Sequence, residues 1–343
     1  MDLEPAPNEW DFKRADYYVK YARQHNADII FTLGQTPSWA AKYPHAACTY
    51  GSGCSQPSDL RLWRAYVRKL VERYGAQVRY WELWNEPDYS GFWRGSPEML
   101  ADMAKIASEE IHARNLNSVL IGPAITPRGI NFLDRFLSHP QSKYLQYISF
   151  HYYINENKIS DLLPILDNVR SVIRGHEIGD IPIWITEFGI NCPQRPASCA
   201  KSTKEEQTAE LNILKAIFLS AAKGVKNMSF YNWERRLPQA PISLSEPNYL
   251  SLSPVGQEYA KVVNLLSGSV ISKSYIEKGV YFILLRKNKK NFVVMWPEFG
   301  DAIVKLPTNW RFRSLEAIPY GDLGDLKNGT LKVPNSAIVV GLL

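Results

Sequence analysis

Short apolar runs alternate with longer amphipathic segments from the N-terminus to residue 267. This alternation is typical of parallel strands joined by crossover helices, because such strands are buried on both faces while each helix exposes a polar face. Strands are predicted at 27–33, 78–83, 118–123, 147–153, 181–185 and 225–233. Helices are predicted at 11–25, 58–74, 97–115, 130–137, 159–174, 204–223 and 254–266.

The pattern changes after residue 267. Apolar and polar residues then alternate, and turns are predicted at Asn288 and from Gly321 to Gly324. These features favour a small antiparallel β domain. We therefore expect an α/β barrel domain at residues 1–267 and a β-sandwich-like domain at residues 268–343.

Two glutamates directly follow predicted strands. Glu86 belongs to the string Trp-Asn-Glu-Pro after the strand at 78–83, and Glu187 to the string Thr-Glu-Phe-Gly after the strand at 181–185. The carboxyl ends of parallel strands gather at one edge, where catalytic side chains collect. Two carboxylates at that edge suit glycoside hydrolysis, in which one protonates the leaving oxygen and the other attacks or activates water. A structural salt bridge is the alternative for each glutamate.

Five further residues near this edge are candidates for substrate binding: Asn85, Trp39, His151, Tyr153 and Trp233. Trp39 follows the first predicted strand and Trp233 ends the last one, and their flat faces suit the C–H faces of pyranose rings. His151 and Tyr153 share one side of their strand because side chains alternate along it. A hydrogen-bonded core histidine is the alternative for His151.

Composition and charge narrow the class of protein. Apolar residues make up 45% of the 343 residues and charged residues 22%, as in ordinary globular proteins. The longest uncharged apolar stretches fall well short of a membrane-spanning helix. The formal net charge is +6. Most of it lies in Val255 to Leu343, which holds 12 Lys and Arg against 7 Asp and Glu, a difference of +5, so the region of the two glutamates is close to neutral. The basic run from Arg286 to Lys290 is predicted to be a solvated hairpin turn, and no nucleic-acid recognition motif accompanies it.

The four cysteines form two close pairs, Cys48 with Cys54 and Cys192 with Cys199, in loops rich in Pro, Gly and Ser. Local disulfides are predicted for both pairs. A zinc site is the alternative, disfavoured because neither pair has Cys-x-x-Cys spacing. Disulfides form in oxidising compartments, so we expect a secreted or periplasmic protein, although no signal peptide precedes Asp2.

Four segments together resemble the retaining glycoside hydrolases of clan A, which are (β/α)8 barrels. The segments are Thr32 to Trp39, Glu82 to Asp88, His151 to Tyr153 and Ile185 to Gly189. Within the clan the chain is most similar to family 39, whose members include β-xylosidases, α-L-iduronidases and exopolysaccharide endoglycosidases. The family signature has Trp-x-Phe-Glu before the Trp-Asn-Glu-Pro string, whereas this chain has Arg-Tyr-Trp-Glu there.

The resemblance implies a carbohydrate substrate and no metal or organic cofactor. It also makes the strand at 27–33 the third of the barrel and the strand at 225–233 the eighth, so a barrel without its first two strands is expected. By position, it assigns these roles: acid/base Glu86, nucleophile Glu187, sugar 2-hydroxyl ligand Asn85, and site-lining residues His151 and Tyr153.

Two other functions stay open at this point. A catalytically impaired carbohydrate-binding protein is one, because an incomplete barrel could hold a sugar without aligning the carboxylates. A family 5 type endoglucanase or mannanase is the other, and would differ in releasing products from the interior of a polysaccharide. The sequence specifies neither the sugar and its linkage nor the oligomeric state.

Overall fold

A computed structural model describes residues 3–51, 53–155, 159–176, 178–191, 203–233, 242–318, 326 and 329–343. The α-helices in this part of the chain are α1 Lys13–Gln24, α2 Leu60–Tyr74, α3 Pro97–Arg114, α4 Ile130–Ser138, α5 Leu162–Gly175, α6 Thr203–Ala222 and α7 Pro254–Leu266. The strands that alternate with them are β1 Ile30–Leu33, β2 Tyr80–Leu83, β3 Val119–Ile125, β4 Tyr147–Asn155, β5 Ile183–Asn191 and β6 Asn227–Phe230. Each predicted helix and strand is present, with ends that differ by a few residues.

These six strands form one sheet in the order β1 to β6. Neighbouring strands are parallel: Ile30 of β1 lies opposite Tyr80 of β2, which in turn lies opposite Val119 of β3. Every residue of β3 is buried. Burial along a whole strand is typical of a parallel sheet with both faces covered, which in a barrel are covered by helices outside and by packed side chains inside. The predicted barrel-type α/β architecture is therefore confirmed.

Antiparallel strands follow the last helix, as predicted. They are β7 Val270–Glu277, β8 Val280–Lys287, β9 Lys290–Pro297, β10 Ala302–Lys305, β11 Ser314–Ile318, β12 Thr330–Val333 and β13 Ile338–Leu342. Five form a sheet in the order β11-β13-β9-β8-β7, and β10 pairs with β12. The basic run is the hairpin between β8 and β9, where Asn288 and Lys289 both have positive φ, as a type I′ turn requires.

Several helices begin at side chains that satisfy their first backbone N–H groups. Asp59 accepts from Arg61 N at the start of α2, and Ser96 accepts from Met99 N at the start of α3. Ser253 does the same for Gly256 N at the start of α7, where Pro254 occupies the first helical position. Such caps contribute about 1 kcal/mol each, so the helix starts are specified locally.

The chain divides into two compact units. Unit 1 consists of Met1–Tyr152 and Ile165–Thr186, and unit 2 of Tyr153–Pro164 and Glu187–Leu343. The predicted domain boundary at residue 267 stays a prediction. In unit 2, one apolar cluster includes Phe282, Val293 and Met295 from β8 and β9. Among the described helices, none combines the length and the apolar character needed to cross a bilayer.

Candidate active site

The chain turns sharply where β2 ends. Trp84 and Glu86 have φ of 63° and 42°, in the left-handed region that costs a non-glycine residue about 1–2 kcal/mol. Two backbone hydrogen bonds hold this turn: Trp84 N donates to Leu33 O at 3.0 Å, and Glu86 N donates to Ala124 O at 3.0 Å. Strained backbone of this kind persists only where its surroundings fix it, and it clusters at functional sites.

The Trp84 side chain anchors the turn. Its ring is 1% exposed and packs edge-on against Trp93, with 4.7 Å between ring centroids. Trp84 Nε1 donates to Phe92 O at 2.7 Å. A Cβ at Gly34 would lie 3.1 Å from this ring, so the absence of a side chain there leaves room for the indole. Trp84 is therefore a core residue that positions the neighbouring Glu86.

Glu86 is paired with a buried histidine of β4. His151 Nδ1 lies 3.0 Å from Glu86 Oε1, close enough for the imidazole N–H to donate to the carboxylate. The His151 side chain is 3% exposed and that of Glu86 is 19% exposed. The imidazole thus fixes one carboxylate oxygen, while part of the Glu86 side chain remains accessible to a substrate.

Asp88 is a site residue to which the sequence assigns no role. Its carboxylate accepts from Thr126 N at 2.8 Å and from Thr126 Oγ1, which ties the loop after β2 to the loop after β3. Burial raises the pKa of the Asp88 carboxyl and the charge of Glu86 adds to this, while the Thr126 hydrogen bonds oppose it. A Cβ at Gly129 would lie 2.6 Å from Asp88 Cγ, so this position accommodates only glycine without a shift.

Glu187 lies within β5, and Tyr153 OH donates to Glu187 Oε1. The predicted strand stops at residue 185, whereas β5 continues to Asn191. The extension is possible because Gly189 has no side chain. A Cβ at this position would lie 2.4 Å from Tyr231 O and would prevent the approach of the two backbones. The close approach lets Tyr231 N donate to Phe188 O at 2.6 Å. The glycine of the Thr-Glu-Phe-Gly string therefore brings a second tyrosine beside Tyr153, with 6.3 Å between the ring centroids.

The other predicted binding residues have different surroundings. Asn85 is half-buried, between the two strained residues Trp84 and Glu86. Trp39 is also half-buried, and its Nε1 donates to Glu4 O at 2.9 Å. Trp233 is 52% exposed. The structure thus joins Glu86 to His151 and Glu187 to Tyr153, and leaves Asn85, Trp39 and Trp233 as candidates by position.

The predicted disulfide between Cys48 and Cys54 is confirmed, with a Cα–Cα distance of 5.4 Å. It closes a loop that follows β1. Arg94 connects this loop to the one after β2, because its N donates to Cys54 O at 2.7 Å and its guanidinium donates to Ala47 O at 2.9 Å. The second predicted pair, Cys192 with Cys199, lies outside the described residues.

Replacing Cys48 and Cys54 with Ser is expected to lower the free energy of unfolding by about 2 kcal/mol, since the closed loop is short. Urea unfolding at equilibrium, followed by far-UV circular dichroism, measures this difference. The double variant should remain folded at 25 °C. An unfolded variant, or one as stable as the parent, would contradict the prediction.

A family model described as a glycosyl hydrolase catalytic core matches residues 54–259, more than half of the chain. The chain belongs to this family of glycosyl hydrolases. The matched segment contains Glu86, His151, Tyr153 and Glu187. Membership makes carbohydrate the substrate and hydrolysis of glycosidic bonds the reaction.

Solved structures similar to this glycosyl hydrolase share its fold. A family 39 glycoside hydrolase from Bacteroides cellulosilyticus has a TM-score of 0.76 at 17% identity, covering 99% of this chain and 73% of that one. A β-xylosidase from Caulobacter crescentus has a TM-score of 0.65 at 15% identity, covering 99% of this chain and 86% of that one. A family 30 endoxylanase from Clostridium papyrosolvens has a TM-score of 0.63 at 14% identity, covering 97% of this chain and 84% of that one. The predicted clan A fold of the family 39 kind is confirmed.

Proposed function

We propose that this glycosyl hydrolase retains anomeric configuration, with Glu187 as the nucleophile and Glu86 as the acid/base. The observation that carries the proposal is that each glutamate has its own hydrogen-bond donor, Tyr153 for Glu187 and His151 for Glu86. A double displacement requires two carboxylates that are held in position, and these two donors hold one oxygen of each carboxylate. The proposal requires the two carboxyl groups to lie about 5 Å apart during the reaction.

In the first step, the Glu187 carboxylate attacks the anomeric carbon and the bond to the leaving oxygen breaks. The proton of Glu86 passes to that oxygen, and a glycosyl ester forms on Glu187. In the second step, the Glu86 carboxylate takes a proton from water as the water oxygen attacks the anomeric carbon, and the bond to Glu187 breaks and releases its carboxylate. Tyr153 donates to Oε1 of Glu187 and so orients the carboxylate for the attack. Because His151 holds Oε1 of Glu86, the other oxygen is left to transfer the proton.

β-Xylosides are the first substrates to test. A β-xylosidase and an endoxylanase are among the proteins with this fold. The half-buried Asn85 beside the acid/base would bind the sugar 2-hydroxyl. Release of nitrophenol from an aryl β-D-xyloside measures turnover, and ¹H NMR identifies the first anomer formed. β-Xylose as the first product supports the proposal, and α-xylose contradicts it. Binding without turnover of this and other aryl glycosides would favour a carbohydrate-binding protein.

An exported location is part of the same proposal. The Cys48–Cys54 disulfide is compatible with an oxidising compartment, where polysaccharide substrates are found. Fractionation of the source cells, with detection of the protein by antibody, tests the location. Recovery of the protein with reduced thiols from the cytosol would contradict it.

Replacing Tyr153 with Phe is expected to lower kcat for an aryl glycoside about 10- to 100-fold, the loss typical of one hydrogen bond to a charged group. The ring and its packing against Tyr231 remain, so the melting temperature should change little. Tyr249→Phe is the matched control, since Tyr249 is 44% exposed in the same unit. Unchanged kcat in Tyr153→Phe would show that this hydroxyl does not position the nucleophile.

A further inference from the structure

Unit 2 contains a cavity of about 1190 Å³ whose described lining residues do not include Glu187 or Tyr153. Its lining includes residues of α6, of β8, of β9 and of the segment that follows β9. The volume exceeds the roughly 300–1,000 Å³ of typical small-molecule pockets, so an oligosaccharide could be accommodated. The reaction proposed above does not use this cavity.

A buried lysine points to a ligand in this cavity. Lys215 lies within α6, is 7% exposed and lines the cavity. In the part of the chain that the structure describes, it has neither a hydrogen-bond acceptor nor an ion-pair partner. Burial lowers the pKa of Lys215 to about 8. Burying an unpaired ammonium is unfavourable, so a ligand with oxygen acceptors would supply what the protein does not.

Aromatic side chains line the same cavity. Tyr281 and Trp296 are stacked, with 5.1 Å between ring centroids and 15° between ring planes. Phe299 is 83% exposed, which is unusual for a ring that large. The exposed ring of Phe299 can pack against the apolar face of a sugar, and its loss would not disturb a packed core, whereas Trp296 is 2% exposed and supports the Tyr281 ring from within the core. The aromatic lining therefore favours a ligand with sugar rings.

The charges around the cavity indicate a neutral ligand. Three carboxylates, those of Glu210, Glu298 and Asp301, line it together with Lys215. Asp301 already pairs with Lys332 at 2.8 Å. The carboxylates would repel an anion, and Lys215 would repel a cation. A polyhydroxylated neutral molecule can instead donate to the carboxylates and accept from the ammonium.

We propose that this cavity is a second carbohydrate-binding site, which holds a neutral oligosaccharide through Lys215, Tyr281 and Phe299. Only the choice of a saccharide as the ligand class rests on the proposed function. Such a site would hold a polysaccharide on the enzyme while another part of the chain is hydrolysed. Its effect would appear with long substrates and be absent with aryl monosaccharides.

Binding is tested with xylohexaose and the Glu187→Gln variant, in which hydrolysis is expected to be lost. Hydrogen–deuterium exchange should show protection of residues 207–219 and 296–301 on addition of the saccharide. In titration calorimetry, Lys215→Met should weaken binding at this site about 10- to 100-fold, as expected for a hydrogen bond to a charged group. Phe299→Ala should weaken it about 2- to 10-fold through lost ring contact. Turnover of an aryl xyloside by the same variants in the wild-type background should be unchanged.

Folding of the variants is checked by their melting temperatures. A lysine whose pKa is lowered in the folded state destabilises the fold at pH values below that pKa. Lys215→Met should therefore melt at a higher temperature than the parent at pH 7, and this advantage should shrink as the pH rises from about 8 to the ordinary lysine value of 10.5. Ile303→Ala is the control for Phe299→Ala, because Ile303 is 79% exposed in unit 2 and does not line the cavity.

The outcomes separate this proposal from the proposed function. Protection of 207–219 that Lys215→Met abolishes supports the second site, whether or not aryl xylosides are hydrolysed. Absence of protection there, or equal binding by Lys215→Met and its parent, overturns the second site even if turnover is normal. Should Lys215→Met fail to fold, unchanged binding by Phe299→Ala would overturn it.

Discussion

Replacing Glu187 with Ala is expected to lower kcat for aryl β-xylosides on the order of 10⁴- to 10⁶-fold, the loss typical of removing a catalytic nucleophile. Without its carboxylate no glycosyl ester can form. Added azide should restore part of the rate by attacking the anomeric carbon directly, which gives a glycosyl azide of inverted configuration. Nitrophenol release and ¹H NMR of the azide product measure both effects.

Glu277→Ala is the control for this variant, because Glu277 is exposed on β7 of the same unit. It should retain the kcat of the parent. A Glu187→Ala enzyme with activity within tenfold of the parent would contradict the role of nucleophile, and so would an azide product of retained configuration.

Replacing Glu86 with Ala is expected to slow substrates with poor leaving groups about 10²- to 10⁴-fold, the range for loss of a general acid. Aryl glycosides with strongly acidic phenols should form the glycosyl ester at nearly the parental rate, because their leaving oxygen needs no proton. Azide should then release the ester as a glycosyl azide of retained configuration. The Glu86→Ala enzyme should therefore form the azide anomer opposite to the one that Glu187→Ala forms.

A series of aryl xylosides with phenols of different pKa measures this dependence. The rate of the Glu86→Ala enzyme should fall steeply as the phenol pKa rises, while that of the parent changes little. Equal losses on all phenols, with no rescue by azide, would mean that Glu86 does not act as the acid/base.

The fold could be predicted because its signals are local. Amphipathic segments mark the helices, and short apolar runs such as the one predicted at 118–123 mark strands that are buried on both faces. The end of β5 could not be predicted in this way. It depends on the approach of Tyr231 to Gly189, two residues that are 42 positions apart and carry no pairing signal in the sequence.

Only those residues of the candidate site that lie in or beside short sequence motifs, or on one face of a predicted strand, could be predicted. Glu86 and Glu187 were identified from short strings, and His151 and Tyr153 from their place on one strand. Asp88 was not assigned a role because its partner Thr126 lies 38 residues later, in a different loop. The Lys215 cavity was also missed, since a lysine in a predicted helix is normally on the exposed face and only packing reveals its burial.

Covalent labelling of the nucleophile tests the central claim most directly. A dinitrophenyl 2-deoxy-2-fluoro-β-xyloside has a good leaving group, while its fluorine slows hydrolysis of the ester, so the glycosyl-enzyme should accumulate. Intact mass spectrometry should show one added fluorosugar per chain, and peptide mapping should place it on Glu187. A label on Glu86, or no ester on an enzyme that hydrolyses the parent xyloside with inversion, would contradict the account.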